Sequence, residues 1–199
     1  MNRNAERLRT SIHLAVAPVP LAAWWLMGEW PTAVRVILAL GALLAVVLDG
    51  ARHRHAGWKH WIEGPIGPLL RPHEREGLLA STFIPVSMAV LFLLLPRSLA
   101  LAAMLFLLVG DAVAALVGRR IGRLRINRWA TLEGGLAGLL ASLALVPLVH
   151  ALDPAVRPGV LMAGAAAAAV TEVLTPGRFD NLAVPLVAGA VMGALSPGN

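Results

Sequence analysis

Long apolar stretches recur along the chain, and short segments that carry most of its charged residues separate them. Because a helix needs about 20 predominantly apolar residues to cross a bilayer, these stretches predict about seven spans. Their predicted bounds are Ser11–Met27, Thr32–Leu48, Leu78–Leu95, Ser98–Val117, Leu132–Leu152, Pro158–Leu174 and Leu182–Leu195. The pattern predicts an all-α, polytopic transmembrane helical bundle in which residues 1–199 form a single integral membrane domain.

The composition supports a membrane protein and excludes other classes. Of the 199 residues, 58% are hydrophobic and 14% are charged, whereas a soluble domain carries about 25% charged residues. The chain has no cysteine, which excludes disulfides and thiolate chemistry. The net charge of +6 does not indicate a nucleic-acid partner, because basic residues between apolar spans are typical of the cytoplasmic side of membrane proteins.

The distribution of charge predicts the orientation of the bundle. With the N-terminus inside, 14 of the 17 lysine and arginine residues fall on inner segments, and Arg35, Arg97 and Arg157 fall outside. The positive-inside rule therefore predicts a cytoplasmic N-terminus, and seven spans place the C-terminus outside. Nine of the 11 acidic residues also lie at or near the inner ends, the exceptions being Glu29 and Asp153. We therefore expect any chemistry on the cytoplasmic face.

The longer inner segment between the second and third spans contains Trp58 and Trp61 on either side of His60. Aromatic residues beside basic ones suit the headgroup region of a membrane. Two interpretations remain open here. One is an interfacial or re-entrant helix around Trp58–Ile62, and the other is a solvated loop that the tryptophans anchor.

Asp111 lies about 10 Å inside the fourth span, roughly two turns before Arg119 and Arg120. An ionised side chain at that depth is costly and usually faces a cavity or a partner. Asp111 is therefore a candidate functional residue, and a structural ion pair or a protonated carboxyl is the alternative. Gly110 and Gly118 belong to a stripe of small residues on the same helix, which suits either helix packing or the close approach of a flat ligand.

Three further acids accompany Asp111 on the same membrane face. Glu133 opens the fifth span, Glu172 closes the sixth, and Asp180 with Asn181 opens the seventh. Taken singly, Glu133 also suits the first turn of a helix that Thr131 caps, and Asp180 also suits a plain N-cap. Together, carboxylate and amide oxygens are the ligands that Mg²⁺ prefers, and Mg²⁺ normally bridges substrate phosphates.

The segment from Arg119 to Arg128 carries five arginines and no acid. Part of this charge follows from the positive-inside rule, but arginine also binds phosphate with two parallel hydrogen bonds. A basic loop beside a carboxylate cluster suits a metal–nucleotide site. The sequence contains no Walker A motif, no G-x-G-x-x-G, no H-E-x-x-H and no G-x-S-x-G. P-loop and Rossmann nucleotide sites, zinc enzymes and serine lipid hydrolases are therefore not indicated.

The run from Gly110 to Arg123 resembles the signature of the dolichol kinase, phytol kinase and CTP-dependent diacylglycerol kinase family. Thr131–Gly134 is similar to that family's K-[ST]-x-E-G element. Glu172, followed by Asp180–Pro185, is similar to its E…DN…P element. The resemblance departs at Ala130, which stands where the family has lysine, so Arg128 or another arginine of the loop would have to replace it.

The resemblance extends upstream and covers most of the chain in the expected order. Arg9–His13 is similar to the family's R-K-x-x-H element. Asp49 with Arg52, and Arg71 with Glu74, are similar to its D-x-x-R and R-x-x-E elements.

The resemblance implies a kinase that transfers the γ-phosphoryl group of CTP, or another nucleotide, with Mg²⁺ to a polyprenol, phytol-like or diacylglycerol hydroxyl. It implies a bacterial or archaeal cytoplasmic membrane with the site on the cytoplasmic side, and as partners a membrane lipid and a nucleotide. The implied catalytic residues are Asp111, Glu133 and Asp180, and the implied metal ligands are Asp111, Glu172 and Asp180. The implied nucleotide-binding residues are Gly110, Gly118, Arg119, Arg120, Gly122, Arg123, Arg128, Gly134 and Asn181. The implied substrate-lining residues are Arg9, His13, Asp49, Arg52, Arg71 and Glu74.

Two alternatives remain. A phosphatidate cytidylyltransferase has a similar Asp-containing helix and also uses CTP, Mg²⁺ and a lipid, but its usual Ser-Pro before the lysine and its later Lys-Asp pair are missing here. A small transporter or non-catalytic membrane protein would also fit Asp111 and the small-residue stripe. Against it, the acids gather on one face instead of the bilayer midplane.

Overall fold

The computed structural model is all-helical over the residues that it describes, which confirms the predicted all-α class for this part of the chain. Those residues are 3–67, 70, 74, 77–175, 177 and 179–196. For residues 3–7, 9, 56, 62, 65 and 66 the backbone alone is described.

Eleven α-helices are present in the described residues. They are α1 (Arg3–Val16), α2 (Pro18–Glu29), α3 (Pro31–Arg54), α4 (Ala56–Ile66), α5 (Phe83–Leu94), α6 (Arg97–Leu105), α7 (Ala112–Ile121), α8 (Leu132–Ala144), α9 (Val146–Leu152), α10 (Pro158–Leu174) and α11 (Asp180–Leu195). A 3₁₀ turn, Ala80–Thr82, leads into α5. A π-helical turn, Phe106–Asp111, joins α6 to α7.

Four helical segments of the described chain are long and apolar enough to cross a membrane. They are Thr10–Glu29, Pro31–Arg54, Arg97–Ile121 and Leu132–Leu152. The helices of the predicted third, sixth and seventh spans are apolar but shorter, and they are Ala80–Leu94, Pro158–Leu174 and Asp180–Leu195. These lengths support a membrane protein, and the number of spans and the side of the N-terminus stay predictions.

The starts of several helices follow from their sequences. Proline occupies the first position of α2, α3 and α10, where its missing N–H costs no helical hydrogen bond and its fixed φ suits the helix. Thr131 precedes α8 and accepts a hydrogen bond from the Gly134 N–H at 3.2 Å, which satisfies one of the free donors of the first turn.

The segment Arg97–Ile121 forms the centre of the bundle. In this segment 67% of the most apolar stretch is buried, whereas the corresponding share is 11% to 22% in the other three long segments. Leu101, Met104 and Leu107 are fully buried, as expected for a helix that is apolar on all sides. Phe92 on α5 belongs to the same core. The helix that carries Asp111 is therefore enclosed by its neighbours.

Polar contacts between helices lie at two opposite ends of the bundle. At the first, the Ser98 end, Trp24 Nε1 donates to Ser98 Oγ at 3.0 Å, and Ser98 Oγ donates to Asp153 Oδ2 at 2.6 Å. At the second, the Asn127 end, Asn127 Nδ2 donates to the Val173 carbonyl at 2.6 Å. Segments predicted outside thus meet at the Ser98 end, and segments predicted inside meet at the Asn127 end.

The segment with the two tryptophans is helical, and α4 includes the predicted Trp58–Ile62 stretch. The rings of Trp58 and Trp61 stack with their centroids 5.2 Å apart. Trp58 Nε1 also donates to the Leu48 carbonyl of α3 at 3.3 Å. Of the two interpretations, the helix is the one observed, and its location at the membrane interface stays a prediction.

Candidate functional site

Asp111 is the last residue of the π-helical turn Phe106–Asp111, near the Asn127 end of the bundle. Turns of this kind are rare and occur frequently at functional sites. His13 of α1 places its Nδ1 atom 2.9 Å from Asp111 Oδ2, and the two side chains are 14% and 24% exposed. His13 is therefore the partner for the structural ion pair that was the alternative interpretation of Asp111. The Asp111 carboxylate also remains partly accessible.

Glu172 reaches from α10 toward the segment that carries Asp111. Its Oε2 atom lies 3.5 Å from the position that a Cβ on Gly138 would occupy, at the contact between α8 and that segment. Glu172 is also close enough to Asp111 and to Asp180 for its negative charge to repel theirs. The structure thus brings three of the four predicted acids into one neighbourhood.

Asp180 and Asn181 begin α11. Asp180 lies in the first turn and not at the cap, which is Phe179, and its Oδ1 atom accepts from the Asn181 N–H at 2.7 Å. Asn181 is 3% exposed and donates from Nδ2 to the Ala80 carbonyl at 2.8 Å. Because that carbonyl fixes the amide orientation, Oδ1 faces away from it. Asn181 Oδ1 is buried and has no hydrogen-bond partner among the described residues.

A closed metal cage is not formed within the described part of the chain, since no three His, Asp or Glu side chains there come close enough together to hold an ion. The three predicted ligands are therefore neighbours without being a preformed cage. Mg²⁺ usually keeps several waters and binds one or two carboxylates together with substrate phosphates. The partly accessible Asp111 and the unsatisfied Asn181 Oδ1 fit that mode of binding. The metal assignment of Asp111, Glu172 and Asp180 stays a prediction.

The small-residue stripe packs against a second stripe on α8. A Cβ on Gly110 would lie 2.7 Å from Ser142 Oγ, and one on Gly118 would lie 2.9 Å from Thr131 Oγ1. A Cβ on Gly134 would lie 2.9 Å from the Ala114 carbonyl. Of the two interpretations of the stripe, helix packing is the one observed at these positions. The nucleotide-binding role predicted for Gly110, Gly118 and Gly134 would have to use a face other than this contact.

Gly122, the last glycine predicted to bind nucleotide, ends α7 in an extended conformation. A Cβ there would collide with the Gly118 carbonyl and with Thr131. The sharp turn out of α7 therefore requires glycine at this position for steric reasons.

Glu133 holds the loop between α7 and α8. Its Oε1 atom accepts from the backbone N–H groups of Arg123 at 2.9 Å and Leu124 at 3.1 Å. Its described contacts are with this loop and not with the other three acids. The first-turn position predicted for Glu133 is correct, and the carboxylate is already engaged in a structural role.

The predicted phosphate-binding arginines lie on the same end of the bundle. Arg119, Arg120, Arg123 and Arg128 are exposed. Arg119 also donates to Thr10 Oγ1 of α1 at 2.9 Å. The guanidinium groups are therefore accessible to a phosphate, and α1 contacts both the arginine end and the Asp111 position of this segment.

The upstream candidates form a buried polar network centred on Arg52, which is fully buried. Arg52 donates to Asp49 Oδ1 at 3.0 Å, to Glu63 Oε1 at 2.7 Å and to the carbonyls of Glu74 and Gly77 at 2.9 and 2.7 Å. Such burial of charge is sustained by this dense hydrogen bonding.

The Arg52 network reaches the start of α11 through Ala80. Glu74 Oε1 accepts from the Ala80 N–H at 3.0 Å, and the Ala80 carbonyl accepts from Asn181. Asp49 Oδ2 accepts from the Leu79 N–H and from Thr82 Oγ1, each at 2.7 Å. Asp49, Arg52 and Glu74 are therefore buried and hold this segment against α11, and the substrate-lining role predicted for them stays a prediction. Two further predicted lining residues have no described side chain. Arg71 lies outside the described residues, and the side chain of Arg9 does as well.

Sequence reasoning missed several partners in these contacts. Glu63 and Thr82 complete the Arg52 network, Asn127 attaches the loop to α10, and Ser142 faces Gly110. The i, i+3 spacing of Asp49 and Arg52 at the end of an apolar stretch was the available signal, because an acid and a base that are buried as a pair need further partners. Their identity depends on contacts distant in sequence.

Comparison with known proteins gives one relative. No model of a protein family matches the chain, and no solved structure matches it. The chain is similar to an uncharacterized protein of Rickettsia prowazekii (strain Madrid E), with 26% identity over 121 residues. The alignment covers 59% of this chain and 59% of the relative, so the chain matches less than two thirds of that protein's length. The relative is bacterial, and its name gives no activity.

Proposed function

We propose that the protein is a membrane lipid-alcohol kinase that transfers the γ-phosphoryl group of CTP to a polyprenol, phytol-like or diacylglycerol hydroxyl. The observation that carries the proposal is the proximity of Glu172 to both Asp111 and Asp180, at the end of the bundle where the arginine-rich loop lies. Phosphoryl transfer needs mostly positioning and charge neutralisation, which acids with Mg²⁺ and arginines supply together.

The proposal includes a membrane orientation. The chain crosses a bacterial or archaeal cytoplasmic membrane seven times with its N-terminus in the cytoplasm, so that the Asn127 end is cytoplasmic. The support is the count of 14 inner basic residues against three outer ones. A site at this depth receives the nucleotide from the cytoplasm, while the lipid hydroxyl enters sideways between helices.

Mg²⁺ held at this site would supply charge neutralisation for the nucleotide phosphates. Asp111, Glu172 and Asp180, together with Asn181 Oδ1, are the groups of this chain that would hold it. Arg119, Arg120 and Arg123 would bind the phosphate oxygens in bidentate fashion. Glu133 positions Arg123 through its backbone N–H.

The transfer step forms a bond from the lipid hydroxyl oxygen to the γ-phosphorus. The bond from that phosphorus to the β–γ bridging oxygen breaks, and the nucleoside diphosphate leaves. The hydroxyl proton passes to Asp111 or Asp180, because Glu133, the other predicted catalytic acid, already accepts two backbone hydrogen bonds.

One assay tests the proposal. Purified protein in lipid nanodiscs is incubated with Mg²⁺, γ-labelled CTP and a panel of polyprenol, phytol, diacylglycerol and phosphatidate. Label on a lipid alcohol, lost on chelation of Mg²⁺, supports the kinase. Release of pyrophosphate with phosphatidate indicates a cytidylyltransferase instead. Absence of turnover with every nucleotide and lipid indicates a transporter or a non-catalytic membrane protein.

A further inference from the structure

The loop between α7 and α8 is a folded hairpin. The backbones of Arg125 and Thr131 form an antiparallel bridge, and the Ile126 N–H donates to the Ala130 carbonyl at 3.1 Å. Asn127 Oδ1 accepts from the N–H groups of Trp129 and Ala130 at 3.0 and 2.8 Å, which closes the turn. We call residues 122–131 the arginine hairpin.

The arginine hairpin is fixed to the bundle at its base and at its tip. At the base, Glu133 accepts from two backbone N–H groups, and the Leu132 N–H donates to the Leu124 carbonyl at 2.8 Å. At the tip, Asn127 donates to the Val173 carbonyl of α10. The hairpin is therefore held against the ends of apolar helices.

Exposed arginine and exposed apolar side chains alternate along the arginine hairpin. Arg123, Arg125 and Arg128 are exposed. Leu124 and Ile126 lie between them and Trp129 follows Arg128, and these three side chains have 62%, 49% and 54% of their surface exposed. Each large apolar side chain that is exposed to water costs free energy. Three such side chains on one short loop are therefore not expected of a loop that is wholly surrounded by water.

We propose that the arginine hairpin docks on the membrane surface, where Arg125 binds the phosphate of an anionic phospholipid and Leu124, Ile126 and Trp129 insert between the headgroups. Charge complementarity supports this occupant, since the hairpin carries only positive charge. Aromatic and aliphatic side chains beside arginine are the composition of interfacial anchors, which bury about 5–10 Å into the headgroup and acyl boundary. The proposal is independent of the kinase activity.

Arg125 is the residue that distinguishes lipid binding from nucleotide binding. A nucleotide at the acidic neighbourhood accounts for exposed arginines, but it does not account for exposed apolar side chains between them. Arg125 is flanked by Leu124 and Ile126 and is outside the set of arginines expected to bind nucleotide. It is therefore the position at which lipid binding is measured separately.

The absence of native cysteine makes the test direct, because one introduced thiol carries one nitroxide spin label. The labelled variants are Leu124→Cys and Trp129→Cys. Leu140→Cys in the middle of α8 and Ala155→Cys in the loop of the Ser98 end, both exposed positions, serve as bilayer and water references. Collision rates with oxygen and with a water-soluble nickel chelate give the depth of each label in vesicles of phosphatidylcholine with or without phosphatidylglycerol.

We expect the labels at 124 and 129 to lie between the two references in depth, and deeper with phosphatidylglycerol than without it. We expect the further substitution Arg125→Gln in each labelled variant to weaken the protein's preference for spin-labelled phosphatidylglycerol over phosphatidylcholine by about fivefold. Saturating CTP with Mg²⁺ is expected to leave the depths unchanged. The proposal is overturned if both labels are as accessible to the chelate as Ala155→Cys, if depth is the same in both vesicles, or if CTP releases the labels.

Discussion

His13 and Asp111 lie 98 positions apart in sequence, yet His13 Nδ1 is 2.9 Å from Asp111 Oδ2. The contact joins α1 to the segment at the centre of the bundle and brings an imidazole nitrogen beside one oxygen of the carboxylate. Asp111 therefore combines a close neighbour on α1 with partial access, as a residue that binds a ligand requires.

The first prediction concerns the Asp111 carboxylate itself. Under the proposed function, Asp111→Asn keeps the size of the side chain but removes its charge, so turnover should fall to about one hundredth of wild type or lower. The matched control is Asp153→Asn at the Ser98 end, where the acid contacts Ser98 and turnover should be retained. Turnover and folding are measured on the same purified samples. Near-normal turnover by Asp111→Asn would refute the assignment.

The second prediction concerns His13 as a positioning residue. Removing the partner of a ligating carboxylate typically costs about 10- to 100-fold in metal affinity or activity. His13→Ala should therefore raise the Mg²⁺ concentration for half-maximal turnover by about tenfold, with a smaller change at saturating Mg²⁺. His60→Ala, an exposed histidine on α4, is the control and should behave as wild type. An unchanged Mg²⁺ requirement in His13→Ala would show that the contact does not orient Asp111.

The third prediction concerns the stability that Arg52 supplies. Arg52→Met keeps the length of the side chain but leaves Asp49 Oδ1 and the carbonyls of Glu74 and Gly77 without this donor, at a cost of about 3–5 kcal/mol in the free energy of unfolding. Arg54→Met, on the same helix but exposed, should change it by less than about 0.5 kcal/mol. Chemical unfolding in detergent micelles measures both. Equal effects of the two substitutions would contradict the network.

The fourth prediction concerns the contact between α7 and α8. In Gly134→Ala the new Cβ would lie 2.9 Å from the Ala114 carbonyl, so the helices must separate, at a cost of about 1–3 kcal/mol in the free energy of unfolding. In Gly41→Ala on α3 nothing lies within 4 Å of the new Cβ. That control should be neutral or slightly more stable, by up to about 1 kcal/mol, because alanine favours the helix. If Gly134→Ala behaved like Gly41→Ala, the close packing would be wrong.

The fifth prediction tests the orientation proposed for the bundle. Single cysteines replace Glu29 at the predicted outer side and Lys59 at the predicted inner side, both of which are exposed. A membrane-impermeant thiol reagent added to whole cells should label Glu29→Cys and leave Lys59→Cys unlabelled until the cells are broken. The opposite pattern would reverse the orientation and place the arginine hairpin outside.

The helices and the small-residue stripe were predictable because both depend on local spacing. Apolar stretches of sufficient length give α3 and α8, and Gly110 and Gly118 on one helix face give close packing. The partner stripe on α8 is also visible as spaced small residues, but the pairing of the two stripes is a tertiary property. Local pattern alone could therefore predict that a contact exists and not which helix provides it.

The arrangement around the acids was predictable only in part. The sequence places Asp111, Glu172 and Asp180 near one membrane face, and the structure brings them near one another. The engagement of Glu133 by the backbone of the arginine hairpin was not predictable, because it depends on how the loop folds back. The role of His13 depends likewise on where α1 packs.

The π-helical turn before Asp111 determines which way the rest of its helix faces. Such a turn holds one residue more than the α-helix it interrupts, and a single extra residue corresponds to about 100° of rotation around the helix axis. Deleting one residue between Phe106 and Gly110 would let regular α-helix re-form and swing the Asp111 carboxylate by that angle, away from α1. One small irregularity thus sets the rotation that lets a tightly packed apolar core and an acid facing α1 share one continuous helix.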